Sequence, residues 1–274
     1  MKPVAFDYAA AKDVASATLL LTEAADEAKP IAGGQSLGAM LNLRLARPTV
    51  LVDISRAADM RTTEDEGDAI LYGAAVTHAE IEDGVVPDAT PGWLAAVARG
   101  IAYRAVRNRG TIGGSLAHAD PAADWVNVLT ALGAEVVLAR KGSSRTVALP
   151  EFFTGPFATV LANGEVISGV RVRKPTRTAR WGYWKFCLKV GDFAKASAAV
   201  LLDPERNETR VLLGAIERPP LLLTDPSTVL DARGDLADVV KQALPFLSEE
   251  SHALHVAALR RALVMARSGG ERAA

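Results

Sequence analysis

Two glycine pairs, each with hydroxyl residues nearby, are the first candidates for chemistry in this sequence. Gly33-Gly34 is followed by Ser36, and Gly113-Gly114 lies between Thr111 and Ser115. Glycine lets the backbone turn sharply and approach a ligand closely, and successive backbone N–H groups in such a turn can bind an anion. The first pair also leads into a helix-like run, whose N-terminal N–H groups favour phosphate. Two such loops facing each other could hold a pyrophosphate.

These glycine pairs do not match the common phosphate-binding motifs. Neither segment fits the GxGxxG pattern of Rossmann dinucleotide sites or the GxxxxGK[ST] pattern of P-loops, so both kinds of site are disfavoured. Taken alone, each pair could equally be an ordinary turn. No catalytic triad is apparent. If the chain is an enzyme, we therefore expect a cofactor to supply the chemistry and the protein to position it.

Charged residues near the second pair are further candidates, although each also has a purely structural interpretation. Asp124 could accept hydrogen bonds from ligand hydroxyls or could lie on the solvated surface. Asp120 precedes Pro121, a pattern typical of a helix N-cap followed by proline at the first helical position. Three arginines could balance phosphate charge or form a solvated face: Arg104, Arg107 and Arg109.

Lys185 lies in a strand-like segment, Tyr183-Trp184-Lys185-Phe186, where it could bind a ligand or remain an exposed charge. Strand alternation places Tyr183, Lys185 and Cys187 on one face. Cys187 is the one cysteine, which excludes an intrachain disulfide and a cluster held by several thiolates. We expect it to be a small buried side chain. The four histidines lack zinc-site spacing, so no metal is expected here, and His252 and His255 are expected on a helix surface.

The composition excludes several classes of protein. The 274 residues are 49% hydrophobic and only 5% aromatic, as expected for strands buried among Ala-rich helices. A net charge of −1 argues against a nucleic-acid partner. No apolar run is long enough to span a bilayer, and residues 1–10 lack the hydrophobic region of a signal peptide. A cytoplasmic location is the expectation.

The periodicity predicts a small β-α-β-like unit over roughly the first 55 residues. A capping box formed by Thr77 and Glu80 predicts a short helix. Beyond Pro175 the pattern changes to consecutive strands, expected to be antiparallel, and then to a helical tail. Helices are predicted over 11–25, 37–45, 91–99, 121–132, 235–244 and 250–267. Strands are predicted over 49–54, 69–75, 134–140, 166–172, 181–186, 194–202 and 209–216.

Three blocks of sequence are more informative together than apart. The first comprises residues 32–37 (AGGQSL), 42–44 (NLR) and 51–54 (LVDI). The second is residues 107–124 (RNRGTIGGSLAHADPAAD), and the third runs from Lys185 through 191–194 (GDFA). In this order they resemble the FAD-binding medium subunits of molybdenum hydroxylases, a family that includes the flavoprotein of aerobic carbon monoxide dehydrogenase and the central domain of xanthine dehydrogenase. The resemblance covers nearly the whole chain.

The resemblance implies an α+β architecture. Residues 1–175 would form a two-subdomain FAD-binding fold of the PCMH or vanillyl-alcohol-oxidase-like type, with subdomains of about 1–55 and 56–175. Residues 176–274 would form the C-terminal flavoprotein domain, an antiparallel sheet with helices.

The resemblance also implies where non-covalent FAD lies. The loop 32–36 would hold the diphosphate and adenosine side, and 111–115 would be the second phosphate-binding loop. Asp124 would bind FAD hydroxyls, Lys185 would reach the flavin or its ribityl chain, and Phe193 would lie near the isoalloxazine. The implied cofactor contacts are Lys29, Ile31, Ala32, Gly33, Gly34, Gln35, Ser36, Thr111, Ile112, Gly113, Gly114, Ser115, Asp124, Val166, Ile167, Lys185 and Phe193.

In this family the chemistry is divided among subunits. The 2Fe-2S clusters would lie on a small subunit and the molybdopterin on a large one, so electrons would reach FAD from a cluster and leave to NAD or a quinone. No residue of this chain need act as a general acid or base in hydroxylation. Several relatives carry an arginine pair where this chain has Leu188-Lys189-Val190, so arginine roles near the flavin do not transfer.

Two other functions remain open at this stage. A self-sufficient FAD-dependent oxidoreductase of the same fold would turn over its substrate without partners. A nucleotide-binding or scaffolding module that has lost FAD would purify without flavin. Binding of FAD and co-purification with partner subunits discriminate among the three.

Overall fold

The computed structural model describes residues 2–24, 27–230 and 235–268. Its N-terminal part is a parallel sheet of three strands in the order β1-β3-β2, in which two helices make the crossovers. Its elements are β1 (Asp7–Ala10), α1 (Val14–Glu23), β2 (Ala28–Ile31), α2 (Leu37–Asn42) and β3 (Val50–Asp53). A capping box at Asp13 starts α1. The β-α-β unit predicted for the first 55 residues is therefore present, preceded by one more strand.

A five-stranded antiparallel sheet in the order β4-β5-β10-β6-β7 forms the next layer. Its strands are β4 (Thr63–Asp65), β5 (Ala69–Gly73), β6 (Glu135–Arg140), β7 (Ser143–Ala148) and β10 (Val166–Arg173). The elements inserted between them are α3 (His78–Glu82), α4 (Trp93–Arg99), α5 (Arg104–Arg107), α6 (Ile112–His118), α7 (Asp124–Ala131), α8 (Leu149–Phe152) and the hairpin of β8 (Phe153–Gly155) and β9 (Ala158–Thr159). The capping box of Thr77 and Glu80 begins α3, as predicted.

The C-terminal part is an antiparallel sheet of four strands in sequence order. Its strands are β11 (Arg180–Phe186), β12 (Ala196–Asp203), β13 (Glu208–Gly214) and β14 (Leu221–Leu222). Its helices are α9 (Ser227–Leu230), α10 (Leu236–Ala243) and α11 (Glu249–Ser268). Gly182 lets α11 lie directly on β11, because a Cβ there would be 1.9 Å from the carbonyl oxygen of Ala262.

Helix α7 is buried where the two parts of the chain meet. All eight of its residues are buried, and Trp125 and Leu129 belong to the same hydrophobic core as Ala199 and Leu201 of β12. The alternate residues of β12 face a second core under α11. Both faces of β12 are thus covered, which explains why its sequence is apolar except for the buried Ser197 and Asp203. The division into domains 1–175 and 176–274 stays a prediction.

Most predicted helices and strands are present, but their ends differ from the predicted ones. Residues with a positive φ explain two of these differences. Helix α2 ends at Asn42 because Arg44 has φ +59, which the helix cannot contain. Helix α4 begins at Trp93 rather than at Pro91 because Gly92 has φ +89. The C-terminal strands pair antiparallel, as predicted.

The predicted N-cap role of Asp120 is wrong. The Ala122 N–H donates to Asp120 Oδ1 and the Ala123 N–H donates to the Asp120 carbonyl, each over 2.9 Å. Asp120 therefore closes a turn that contains Pro121, and α7 begins only at Asp124. Among the described helices, none is long and apolar enough to cross a membrane.

Candidate functional site

The two glycine segments, residues 32–36 and 109–115, lie against each other. The Arg109 Nε donates to the Gly33 carbonyl over 3.3 Å. A Cβ at Gly33 would lie only 1.9 Å from the Arg109 carbonyl oxygen, so no other residue fits there without moving one segment. A Cβ at Gly114 would reach the Ala32 Cβ at 4.0 Å. Gly33 therefore permits a close approach of two backbones that are far apart in sequence, whereas Gly114 only touches the first segment.

The first glycine segment presents unused hydrogen-bond donors. It joins β2 to α2, and Gly34 turns the chain with φ +71 while Gln35 Nε2 donates to the Gly33 carbonyl over 3.0 Å. The backbone N–H groups of residues 33–36 have no acceptor within the described ranges, and neither does the hydroxyl of Ser36. Four free N–H groups in a row can bind a phosphate group.

The second glycine pair does not lie in a loop, contrary to the prediction. Thr111 is the N-cap of α6, so the pair falls in the first turn of this helix. Its N–H groups are already bonded: Gly113 donates to the Ala74 carbonyl, and Gly114 to Thr111 Oγ1, each over 3.0 Å. A Cβ at Gly113 would lie 2.5 Å from the Ala74 Cβ, so packing explains this glycine. What this segment offers a ligand is the hydroxyl hydrogens of Thr111 and Ser115, neither of which has an acceptor in the described chain.

Asp124 forms a second group with two residues of β11. Its carboxylate accepts a hydrogen bond from Tyr183 Oη over 2.9 Å and one from Lys185 Nζ over 2.8 Å. Lys185 Nζ also donates to the Gly100 carbonyl over 2.9 Å. Burial raises the pKa of Tyr183 well above its usual value, and the Asp124 charge raises it further. The predicted common face of Tyr183 and Lys185 is confirmed, and their bonds connect the C-terminal sheet to α7.

Two of the three candidate arginines are neutralised by carboxylates. Arg107 binds Glu82 through Nε over 2.6 Å and Nη2 over 3.1 Å, and this bonding holds the pKa of Glu82 below its usual value. Arg104 donates to Asp83 over 2.7 Å and to Glu82 over 3.0 Å. These two are therefore structural ion pairs. Arg109 is exposed and keeps most of its guanidinium donors free in the described chain.

His78 supports the second glycine segment and had no signal in the sequence beyond its position beside a capping box. Its Nδ1 accepts a hydrogen bond from Trp125 Nε1 over 2.9 Å, and its backbone N–H donates to the Gly110 carbonyl. A Cβ at Gly110 would lie 2.7 Å from His78 Nε2. Burial above all, together with the charge of Arg107, lowers the pKa of His78 from 6.5 to about 4. His78 is therefore neutral at pH 7.

The remaining predicted site residues have different degrees of exposure. Val166 and Ile167 are buried in two different hydrophobic cores, so their side chains face protein. Lys29 is exposed and Ile31 is half-buried. Phe193 is 66% exposed on the turn between β11 and β12.

Two predictions about polar side chains are wrong. Cys187 is half-buried rather than buried, because it lies just past the end of β11. His255 is buried, because α11 turns it toward the end of β13, whereas His252 is half-buried and bonds the Leu244 carbonyl over 2.8 Å.

Residues 34–38 read Gly-Gln-Ser-Leu-Gly, the letter pattern of a hydrolase nucleophile elbow. Activation of a serine needs a base within hydrogen-bond reach of its hydroxyl. Ser36 has no such partner in the described chain, and all four histidines have other environments. The pattern is therefore not a catalytic serine here.

A polar cleft elsewhere on the surface contains none of the predicted site residues. It lies at the start of β13 and is lined by Arg173 and by residues 206–210. Arg210 in this cleft is already engaged, since it donates to the carbonyls of Thr130 and Ala131 at the end of α7. The cleft is therefore largely a structural junction.

Comparison with known proteins gives one family for most of the chain. Residues 4–175 match the family model described as "FAD binding domain in molybdopterin dehydrogenase". The nicotine 6-hydroxylase medium subunit of Paenarthrobacter nicotinovorans is 37% identical over 227 residues, which are 80% of this chain and 79% of that protein. The carbon monoxide dehydrogenase medium chain of Hydrogenophaga pseudoflava is 37% identical over 76% of this chain and 72% of its own length.

Solved structures give the same result for the whole fold. A chain of carbon monoxide dehydrogenase from Hydrogenophaga pseudoflava, in a form that lacks the Mo-pyranopterin moiety, superposes with a TM-score of 0.89 and 30% identity. The superposition covers 98% of this chain and 99% of that one. Quinoline 2-oxidoreductase from Pseudomonas putida 86 gives a TM-score of 0.84 at 29% identity, covering 98% and 99%.

Proposed function

Since this chain belongs to the family of FAD-binding domains of molybdopterin dehydrogenases, we propose that it relays electrons from a small iron–sulfur subunit, through FAD, to NAD or a quinone. The molybdopterin that hydroxylates the substrate would lie on a large partner subunit. The proposal rests on one observation above all: a row of backbone donors without an acceptor among the described residues lies at the contact between the two glycine segments.

The residues of this chain fit the diphosphate of FAD. Within the described part of the chain, the four N–H groups of residues 33–36 and the hydroxyl of Ser36 are free donors, and phosphate oxygens accept hydrogen bonds. The hydroxyls of Thr111 and Ser115 and the exposed guanidinium of Arg109 add donors from the second glycine segment. We therefore assign the diphosphate to the line of contact between Gly33 and Gly114, with Lys29 and Ile31 beside it.

The second group of residues fits the hydroxyl-bearing part of the cofactor. A carboxylate has about four lone-pair positions, and Asp124 uses two of them for Tyr183 and Lys185. It can therefore accept hydrogen bonds from ligand hydroxyls without losing either partner. Lys185 is held by Asp124 and Gly100, so we assign it first to positioning Asp124 and only then to the cofactor.

The predicted cofactor contacts of Val166 and Ile167 need a different interpretation, whereas that of Phe193 does not. Because the side chains of Val166 and Ile167 are buried, these residues would reach the cofactor through backbone atoms. Phe193 is free to pack on a planar ring, since most of its side chain is exposed.

When bound, FAD supplies the ability to exchange one or two electrons at a time, which suits a relay between a cluster and a two-electron acceptor. This chain's own contribution is to bind, to orient and to carry the cofactor. It needs no proton donor or acceptor for hydroxylation. A self-sufficient oxidoreductase is not favoured, because the relatives named above are medium subunits or medium chains.

Purification of the tagged chain from its natural host tests this assignment. We expect a yellow complex in which acid releases intact FAD, with iron and molybdenum carried by two other polypeptides. Fractionation of the same cells tests the proposed cytoplasmic location. A chain that purifies alone and turns over a substrate without partners would contradict the relay.

A further inference from the structure

His255 connects helix α11 to the end of β13. Its side chain is 1% exposed, and its Nε2 lies 3.0 Å from the Gly214 carbonyl oxygen. Its Nδ1 lies 2.8 Å from the Ser251 carbonyl oxygen, one turn earlier on the same helix. A carbonyl oxygen can only accept, so each of the two contacts is a hydrogen bond only when its ring nitrogen carries a proton. A neutral ring has one such proton, and the contact with Gly214 forms when that proton is on Nε2.

The segment that His255 holds is fitted against the turn before α7. Ala215 follows Gly214 with φ +58, and its N–H donates to the Pro121 carbonyl over 3.2 Å. A Cβ at Gly214 would lie 1.9 Å from Asn127 Oδ1, so only glycine fits. Asn127 in turn donates from Nδ2 to the same Pro121 carbonyl over 3.2 Å. Ala215, just past the end of β13, and Asn127 of α7 therefore share one acceptor in the turn, the carbonyl of Pro121.

This turn sets the position of Asp124. It is closed by the hydrogen bonds of Ala122 and Ala123 to Asp120, and Asn127 Nδ2 also donates to the Ala123 carbonyl over 3.0 Å. Asp124 is the next residue and begins α7. A shift of the Pro121 carbonyl would therefore move the carboxylate that Tyr183 and Lys185 bind.

We propose that His255 is a positioning residue for the cofactor site, acting from the far side of the C-terminal sheet. Its Nε2–H donates to the Gly214 carbonyl, which places the Ala215 N–H to donate to the Pro121 carbonyl. The turn of residues 120–123 then fixes the orientation of Asp124. The effect on the cofactor rests on the proposed binding of FAD by Asp124. The hydrogen-bond path itself does not.

Two variants of the full chain, His255→Leu and His255→Gln, test the effect on FAD affinity, and His252→Leu is the matched control. His252 lies on the same helix and also bonds a backbone carbonyl, that of Leu244, which is not connected to the turn. Loss of one hydrogen bond should weaken FAD binding by about three- to tenfold in His255→Leu. His255→Gln keeps a donor and should bind FAD within about twofold of the wild type, as should His252→Leu. Quenching of flavin fluorescence on titration gives the affinities.

Two measurements need no FAD and separate this proposal from the proposed function. The ¹⁵N shift of His255 Nε2 should show a bound proton, and the Ala215 amide should exchange faster with solvent in His255→Leu than in His252→Leu. A bare Nε2, an unchanged Ala215 exchange rate, or an equal loss of affinity in both leucine variants would overturn the proposal. If His255→Leu does not fold, the proposal is tested by the ¹⁵N shift of His255 in the wild type and by the FAD affinity of His255→Gln. A wild-type chain that binds no FAD would refute the proposed function, and the ¹⁵N and exchange data would still test the path.

Discussion

Gly33→Ala adds one methyl group where the two glycine segments touch. The new Cβ would lie 1.9 Å from the Arg109 carbonyl oxygen and 2.5 Å from its carbonyl carbon. Because even close C–H···O contacts lie at about 3.3 Å, the two backbones must separate by about 1 Å or more. Forcing extra carbon into a packed site costs about 1–3 kcal/mol. At about 1.4 kcal/mol for each factor of ten, we expect FAD to bind roughly 10- to 100-fold more weakly.

The assay is titration of the full chain with FAD, followed by quenching of flavin fluorescence. Gly38→Ala is the matched control, because it adds the same methyl group four residues from Gly34 where no atom lies within 4 Å. We expect its affinity to equal that of the wild type. Urea unfolding of each apo variant separates a local loss of affinity from a loss of fold. Unchanged FAD affinity in a folded Gly33→Ala variant would refute the assignment of the diphosphate to this contact.

Three further predictions concern buried polar groups: Lys185 with Asp124, His78, and Asp203. Lys185→Met leaves the buried Asp124 carboxylate without its cation, so the free energy of unfolding in urea should fall by about 3 kcal/mol. Lys174→Met removes the exposed ion pair with Asp65 and should lower this free energy much less. Equal losses in the two variants would count against a buried ion pair. The pKa of His78 is about 4 in the folded chain, below its usual 6.5. As the pH falls from 6.5 to 4, the unfolded chain therefore takes up a proton that the folded chain does not, and the free energy of unfolding falls by on the order of 3 kcal/mol. His78→Gln should show a shallower loss over this range, and an identical pH profile would contradict the neutral buried ring. Asp203 is buried and accepts hydrogen bonds from the N–H and the hydroxyl of Thr176, which lies between β10 and β11. Asp203→Ala should therefore increase the rate of cleavage of this connection in limited proteolysis. An unchanged rate would show that Asp203 does not hold the connection in place.

Signals that depend on short stretches of sequence predicted the fold well. The family, the α+β fold and the FAD-containing oxidoreductase class are confirmed by the matches. The capping box of Thr77 and Glu80 begins a helix, and the strands that follow Pro175 pair antiparallel, because caps and alternation are local properties. The assignment of individual residues to FAD remains a prediction.

Features that depend on distant partners were not predictable from spacing. Gly113 looks like part of an anion-binding loop until Ala74, just past the end of β5, takes its N–H and fills the space beside it. Arg107 looks free until Glu82 is brought against it. His255 shows the same limitation, since its burial depends on where α11 meets Gly214 at the end of β13. In each case tertiary contacts rather than local propensity determine the role of the side chain.

The most direct test of the relay is electron transfer in the intact complex before and after FAD is removed. The clusters of the FAD-free complex are reduced photochemically, and reduction of NAD or a quinone is followed by absorbance. The proposed relay predicts that the clusters still become reduced, that acceptor reduction stops without FAD, and that it returns when FAD is added. Acceptor reduction at the same rate without FAD would contradict the proposed function of this chain.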